Sequence, residues 1–455
     1  MAFTEEACAI TAPLPSGNSI SGTLPVLYID TENHAPVVSK ETYLNGSFHL
    51  DPMGVDGVEP LGTETSPLSL QIRGRGHSSW KAPKKPYKLK FGEKTAIMGM
   101  PKNKHWALLK PSENTVAGLH LGKLLDMAWT PDFKPVEVVL NGDYIGLYFL
   151  TETIRIDKNR VNIYEQKDNE TDPDLISGGW LVEVDNYRDK CQITIPECSR
   201  WNLTLRYHSP EELSAQQLKW LTDEFNSINS AIYSADKTSS EWEKYIDVES
   251  MARFFIIQEV MDNPDGFHGS FYLHKDLPAD SKWIAGPIWD LVCYNREKTD
   301  YTFRMKVHYG FTPHWIGEII QYDSFCRAVA NVWEQIYPSV LAEIYDHIDS
   351  TVLPLASAWS NDCMRWNEDP SQTADLRAER IKTALARNIE WFNSHLPENP
   401  CSSSPTVSFD NDYRTVRVYN LQGIMVGEFE SPATAASSLP PGLYIIDGKK
   451  VRITD

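Results

Sequence analysis

Apolar and polar residues alternate in short runs through the first hundred or so positions. Leu68-Ser-Leu-Gln-Ile-Arg and Pro86-Tyr-Lys-Leu-Lys-Phe each carry an apolar side chain at every second position, the period of a strand with one buried face. In the second run Tyr87, Leu89 and Phe91 share one face, and Lys88 and Lys90 share the other. Leu24-Pro-Val-Leu-Tyr-Ile-Asp is another β-rich run, and clusters of Gly, Pro, Asp and Asn between these runs mark loops. Pro135–Leu140 and Ile145–Leu150 flank Asn141-Gly142, the strongest short-range hairpin signal. Trp180-Leu-Val-Glu-Val-Asp reads as a further strand.

The period then lengthens. Leu119, Leu121, Leu124 and Leu125 predict a helix within Val116–Trp129. Ser209-Pro-Glu-Glu reads as a helix start, with Ser209 at the cap, Pro210 in the first turn and Glu212 closing a capping box. Leu213, Leu218, Leu221, Phe225, Ile228 and Ile232 follow at helical spacing. Val248–Met261 is nearly all apolar and predicts a central helix; Ser324–Ile348 and Asp375–Leu396 predict two more. After Pro400 the composition changes. Cys401-Ser-Ser-Ser-Pro405 reads as a linker, and β-rich runs separated by Gly and Pro turns fill residues 406–455, a small β-sandwich-like domain. The organisation expected is an extension over residues 1–23, a main α+β domain over 24–400, the linker over 401–405, and the small all-β domain.

Composition narrows the class. A chain of 455 residues with 41% hydrophobic and 23% charged side chains is an ordinary globular protein of two or three domains. No stretch approaches the roughly 18 apolar residues of a membrane-spanning helix. The formal charge of −19 argues against nucleic-acid binding, although a basic patch lies between Arg73 and Lys110. No CxxC spacing occurs among the seven cysteines, which argues against a cysteine-built zinc site. Cys191 and Cys198 flank a short β-like run, as either a hairpin-closing disulfide or two buried thiols. The start, Met1-Ala-Phe-Thr-Glu-Glu, lacks a basic and an apolar leader region, which suits a cytoplasmic protein or an exported one whose signal is absent from this sequence.

Three groups of residues could carry chemistry. Arg73-Gly-Arg-Gly-His-Ser-Ser-Trp, with Lys84-Lys-Pro-Tyr-Lys-Leu-Lys behind it, combines glycines that expose backbone N–H groups with side chains that supply positive charge. That suits phosphate, though no GxxxxGK[ST] loop is present; the plain alternative is a strand-end turn with a solvated basic face. Glu259, Asp262, Asn263 and Asp265 follow the central helix, and Asp290 lies 25 residues beyond Asp265. A hairpin-like return could bring Asp265 and Asp290 together as one carboxylate for a hydroxyl proton and one for Mg²⁺. A Ca²⁺ site or a set of turn residues would show the same composition. Glu152, after the hairpin, reads alone as a surface residue. Most of the 14 tryptophans fall in apolar patterns and read as core rather than as carbohydrate platforms, and His268 and His274 read as structural.

The ordered runs Ile72-Arg-Gly-Arg-Gly-His-Ser-Ser-Trp, Pro83-Lys-Lys-Pro-Tyr-Lys-Leu-Lys-Phe, Leu140-Asn-Gly-Asp-Tyr-Ile-Gly-Leu-Tyr-Phe-Leu-Thr-Glu, Gly178-Gly-Trp-Leu-Val-Glu-Val-Asp, Asn263-Pro-Asp and Gly286-Pro-Ile-Trp-Asp resemble the spore coat protein H (CotH) kinase family, in a form like those of gut Bacteroidales. The resemblance runs from about Leu24 to Leu396. It implies an atypical protein-kinase-like fold of two lobes, β-rich then helical, with ATP and Mg²⁺ or Mn²⁺ between them and Ser or Thr of secreted proteins as acceptors. Asp265 matches the aspartate of the family's NxD motif, implying a catalytic role. Asp290 matches the first aspartate of WDxD, implying a catalytic metal ligand, with Asn263 beside it as a second ligand. Arg73, Arg75, Lys88 and Lys90 match the basic nucleotide-side motif, and Glu152 is the expected ion-pair partner of Lys88 or Lys90. Val292 stands where the second aspartate of WDxD belongs, and Asn295 where a glycine follows. The resemblance thus implies an active or degenerate kinase. The alternatives are a non-catalytic surface protein that binds a protein or a glycan, and a Ca²⁺-stabilised scaffold. Val416-Arg-Val-Tyr-Asn-Leu-Gln-Gly with Leu439-Pro-Pro-Gly-Leu-Tyr resembles the C-terminal sorting-type β-domain of exported Bacteroidetes proteins, which implies export to the cell surface or beyond and favours the Cys191–Cys198 disulfide.

Overall fold

The computed structural model describes residues 20–185, 191–195, 203–304 and 315–397, and in the tail 416–420, 424–429, 434–435, 438–440, 442–446 and 449–453. Its N-terminal part is a closed barrel of seven strands: β1 (Val26–Thr31), β2 (Leu44–Asp51), β3 (Leu68–Gly74), β4 (Tyr87–Ile97), β5 (Met100–Leu109), β6 (Phe133–Leu140) and β7 (Asp143–Glu152). The order around the barrel is β1-β2-β3-β4-β5-β7-β6, antiparallel throughout except where β1 closes on β6 in parallel. Alternation decides the interior: Ile72, Leu89, Trp106, Leu108, Val138 and Leu150 point inward and are fully buried. The β6–β7 turn is Asn141-Gly142, both at positive φ (54° and 78°), as a type I′ hairpin requires.

Helix α1 (Glu113–Leu124) interrupts the strands between β5 and β6, with the Ser112 hydroxyl accepting the Asn114 N–H at its start. It ends five residues short of the expected boundary at Trp129. Beyond the barrel, β8 (Trp180–Val184), β9 (Gln192–Ile195), β10 (Leu203–Tyr207), β11 (Phe271–Lys275) and β12 (Ile284–Ala285) form a second sheet in the order β12-β11-β8-β10-β9. The other helices are α2 (Pro173–Ile176), α3 (Ala215–Ile232), α4 (Val248–Val260), α5 (Ile316–Ile319), α6 (Asp323–Val352), α7 (Ala356–Trp366) and α8 (Ala374–Ser394). As its apolar composition predicts, α4 is buried almost all round, with Phe254, Phe255, Ile256 and Ile257 fully covered in one core that also takes in α1, α3, α6, α8 and the second sheet. The chain is thus β-rich at first, helix-rich afterwards, with a small all-β piece at its end.

One expectation is corrected. The Ser209 capping box does not form. Helix α3 starts five residues later, where Ser214 accepts the Gln217 N–H and Gln217 Oε1 accepts the Ser214 N–H, a reciprocal pair that Ser209 and Glu212 do not make. The described tail residues form an antiparallel sheet, β13 (Val416–Asn420), β14 (Met425–Phe429), β15 (Gly442–Ile446) and β16 (Lys449–Ile453), in the order β14-β13-β15-β16. The expected strand Val407-Ser-Phe, the linker 401–405 and Cys198 lie outside the described residues. Cys191 is a free thiol, its Sγ 3.7 Å from the Glu211 carbonyl oxygen.

Helix α7, which the hydrophobic pattern did not reveal, ties the helical part to the barrel by a buried ion pair. Lys84 Nζ lies 2.5 Å from Asp362 Oδ1, and the same oxygen accepts the Leu147 N–H at 3.0 Å. Burial pushes the Lys84 ammonium down to about 8, against the pull of Asp362. A side chain at Gly146 would place its Cβ 2.0 Å from that carboxylate oxygen, which excludes every residue but glycine there. Replacing Asp362 by Ala leaves Lys84 buried without its counter-charge, and is expected to cost about 3–5 kcal/mol in urea unfolding. A loss below about 1 kcal/mol, the worth of an exposed pair, would show that the pair does not hold the two parts together.

Candidate functional site

The barrel's alternation has a second consequence, on its outer face. Arg73 on β3 stands directly opposite Lys88 on β4, while their inward neighbours Ile72 and Leu89 pair inside. Lys90 follows on the same outer face, opposite His105 of β5. Arg75, just past β3, lays its guanidinium 5.3 Å over the Trp289 ring, and Arg73 lies 5.0 Å over Tyr43. Arg155, in the segment leaving β7, and Arg206, on β10 of the second sheet, complete the group. Burial, then Arg73, Arg155, Arg75 and Arg206 in that order, push the Lys88 ammonium down to about 7. His105 is driven to about 3 by burial and by Arg155, Lys88, Lys90 and Arg160. Arg73, Arg75, Lys88, Lys90 and Arg155 make no ion pair with a carboxylate among the described residues, and Arg73 Nε is buried without a hydrogen-bond partner. Half-buried cations from β3, β4 and the segment after β7 converge there without a close carboxylate partner, an arrangement that suits an anion.

Gly74 of the basic loop serves a different purpose from the one the sequence suggested. The Gly74 N–H already bonds the Ser39 carbonyl at 2.8 Å, and the Arg75 N–H bonds that of Pro86 at 3.2 Å. A Cβ on Gly74 would lie 2.3 Å from the Trp80 indole. Gly74 therefore makes room for a tryptophan, and side chains rather than these N–H groups face the anion site.

The carboxylates divide into two sets. Glu259 and Asp262, at the end of α4, are fully buried and neutralised: Lys298 Nζ lies 2.8 Å from Glu259, and Arg296 makes a two-pronged contact with Asp262 at 2.6 and 2.9 Å. Asn263 is buried as well, its Nδ2 donating to Gln258 Oε1 at 2.8 Å and its Oδ1 accepting the Asp265 N–H at 3.2 Å. The second set is Asp265 and Asp290. Asp265 is exposed, with His268 Nε2 3.4 Å from its Oδ1. Asp290 sits at φ 54°, a conformation unusual outside glycine and frequent at functional positions. Its carboxylate reaches solvent, yet the protein packed around it raises its pKa. Arg75 and His77 oppose that rise, and Asp265 and Glu183 add to it. Asp265, Asp290 and Arg75 thus lie within electrostatic reach of one another. Asp290 is held there by α1: a Cβ at Gly118 would meet Leu291 Cδ1 at 2.4 Å, and one at Gly122 would meet Ile288 Cδ1 at 2.5 Å. Those two glycines let the residues flanking Asp290 pack directly on the helix.

Glu152 is not a partner of Lys88 or Lys90. Its register opposite Trp106 turns it to the inner face, where Arg160 Nε lies 3.7 Å away and the Asp132 N–H donates to it at 3.0 Å. Glu183 is a further carboxylate at the site, beyond those the sequence pattern singles out. On β8 it stands between Arg206 and Tyr272, takes a hydrogen bond from the Tyr272 hydroxyl, and lies 3.0 Å from His208 Nε2. A glutamate in the otherwise apolar run Trp180-Leu-Val-Glu-Val was the available signal. Arg155, inside Ile154-Arg-Ile, was legible the same way.

Among the described residues no group of three or more His, Cys, Asp or Glu is arranged to hold a metal by itself. Mg²⁺ needs no such group, since it binds through one or two carboxylates plus substrate phosphates. Asp290 and Asp265 fit that pattern. Asn263, with both polar atoms of its side chain engaged, is the weaker member. At the place of the second WDxD carboxylate Val292 is half-buried, and Asn295 Oδ1 accepts from Arg387 at 3.2 Å.

Anion binding and the Lys88 proton are linked. A lysine near 7 is mostly neutral at pH 8, and a bound anion restores its charge, so tripolyphosphate binding at pH 8 draws close to one proton per site from solvent. Calorimetry in two buffers of different ionisation enthalpy measures this uptake. Lys88→Arg, which stays charged, keeps the affinity and loses the uptake; equal uptake in both proteins would remove Lys88 from the site.

No curated protein matches the chain. A family model described as CotH kinase protein matches residues 72–392, from β3 to α8, and its span takes in Arg73, Arg75, Lys88, Lys90, Asp265 and Asp290. With more than half its length matched, and with the cation cluster and the Asp265–Asp290 pair inside the matched region, the chain belongs to the CotH kinase family.

Proposed function

We propose that this protein is an atypical protein kinase that takes ATP between the barrel and the helix-rich part and phosphorylates Ser or Thr of exported proteins. The observation that carries the reading is the cation cluster beside Asp290, which Asp265 neighbours. Arg73, Arg75, Lys88 and Lys90, with Arg155 and Arg206, hold the phosphates. Asp290, with Asp265 near it, would hold Mg²⁺ or Mn²⁺, whose chemistry is to neutralise charge on the transferring phosphoryl group. Asp265, exposed and beside His268, orients the acceptor hydroxyl and accepts its proton. The barrel and the helix-rich part act as the two sides of a kinase-like cleft. Export is proposed from the resemblance of the tail to sorting-type domains, and it makes surface or secreted proteins the acceptors.

One observation favours a second reading. Val292 puts an apolar side chain where a family carboxylate stands, so the same cleft could bind nucleotide without transferring phosphate and serve as a surface-binding module. Calorimetric titration of ATP with Mg²⁺ or Mn²⁺, followed by radiolabel transfer to a secreted-protein fraction, separates the two. Asp265→Asn is expected to lower transfer by about 10²–10⁴-fold, the usual contribution of a general base, with ATP binding retained. Asp290→Ala is expected to abolish the metal dependence of binding. Binding without transfer in the native protein would establish the second reading, and no binding would exclude both.

A further inference from the structure

Two imidazoles stack face to face where α1 meets α6. His120 of α1 and His347 of α6 have ring centroids 3.9 Å apart and planes 6° from parallel, and both are half-buried. Their chain neighbours Leu121 and Ile348 are fully buried in the core that the two helices share.

The surroundings of the stack favour uncharged rings. Burial, then Lys123, lower the His120 pKa, and Glu343 opposes them. His347 is pushed down to about 4 by burial, then by His120 and Lys123, with Lys134 adding to the fall and Asp132 opposing it. The charged groups around the pair thus come from α1 (Lys123), from α6 (Glu343) and from the start of β6 (Asp132 and Lys134). Asp132 is already shared by the two lysines, at 3.1 Å from Lys123 and 3.3 Å from Lys134. Glu343, one turn before His347, is exposed and offers little compensation. A second proton on the stack therefore sets two like charges face to face.

The stack also bears on Asp290, through α1. Gly118 and Gly122 lie one turn apart and let Leu291 and Ile288 close on the helix. His120 is two residues from each of them, a rotation of about 200°, so it faces the opposite side of α1. Helix α1 is a wedge between α6 and the segment that carries Asp290.

We propose that the His120–His347 stack is an acid-sensitive latch, whose protonation loosens α1 from α6 and releases the segment around Asp290. Once opened, the rings take up protons near the ordinary imidazole value of about 6.5. The opened form therefore binds more protons in acid. The contact is at full strength above about 6.5 and weakens as pH falls toward 4. The latch stands independently of the nucleotide reading, since it concerns where Asp290 sits and not what it binds.

Hydrogen exchange of the full chain between pH 7.5 and pH 4.5, corrected for the intrinsic pH dependence of exchange, tests it against His347→Phe and His120→Phe. Each variant keeps a flat ring and cannot be charged, and urea unfolding at pH 7.5 checks that it is folded. In the native protein, protection of peptides covering residues 113–124 and 286–292 is expected to fall about tenfold or more relative to the variants, since each pH unit over which the fold resists a proton is a factor of ten. The two peptides should loosen together, with the barrel strands unchanged. Parallel behaviour of native protein and variants overturns the latch, and so does loosening of α1 that leaves residues 286–292 protected. A titration of the native protein with ¹³C-labelled histidine needs no variant. Depressed pKa values for both rings support the latch, and ordinary values near 6.5 overturn it.

Discussion

A closed barrel can bury only one face of each strand, and the rest of the site follows from that constraint. With Ile72 and Leu89 turned into the interior, Arg73 and Lys88 must emerge side by side on the outside. There the segment after β7 and the second sheet bring further cations, Arg155 and Arg206, toward them. The outcome is a set of half-desolvated like charges, in which burial first and repulsion from the neighbouring arginines second hold the Lys88 ammonium near 7. Folding alone does not relieve that repulsion. A bound polyanion does, and it gains from the low-dielectric surroundings that make the unliganded arrangement costly.

The acidic half of the site is assembled by division of labour. Lys298 and Arg296 neutralise Glu259 and Asp262 and thereby fasten the chain that follows Asp290 to the end of the central helix. The glycines of α1 let Ile288 and Leu291 close on the helix from the other side of Asp290. Asp290 is thus fixed from both directions in a left-handed conformation, while Asp265 keeps an exposed carboxylate. The buried Lys84–Asp362 pair secures the barrel to α7.

Local periodicity made most of the fold readable. The strands around Ile72, Leu89 and Val182, the Asn141-Gly142 hairpin and the buried helix around Phe255 follow from spacing and turn chemistry alone. What was not readable depends on contacts between distant segments. The parallel closure of β1 on β6 has no local signal. Helix α7, only 11 residues long, offers too few periods to stand out. At the start of α3 two capping boxes competed, and the one whose Gln217 also bonds Gln166 and the Lys167 carbonyl formed. In the site, the outward face of Lys88 was legible from alternation. The placement of Glu152 required the strand register, and Glu183 matters only through the surface it faces. The basic loop's glycines looked like a phosphate cradle because the pattern could not show that Trp80 fills the space.

The central claim is that the anion site lies between the outer face of β3–β4 and the segments carrying Asp265 and Asp290. Hydrogen exchange of the full chain with and without ATP and Mg²⁺ tests that placement directly. The account predicts slowed exchange in peptides covering residues 73–90, 153–163 and 265–292, with the tail sheet unchanged. Protection confined to other segments, under conditions where calorimetry registers binding, would contradict it.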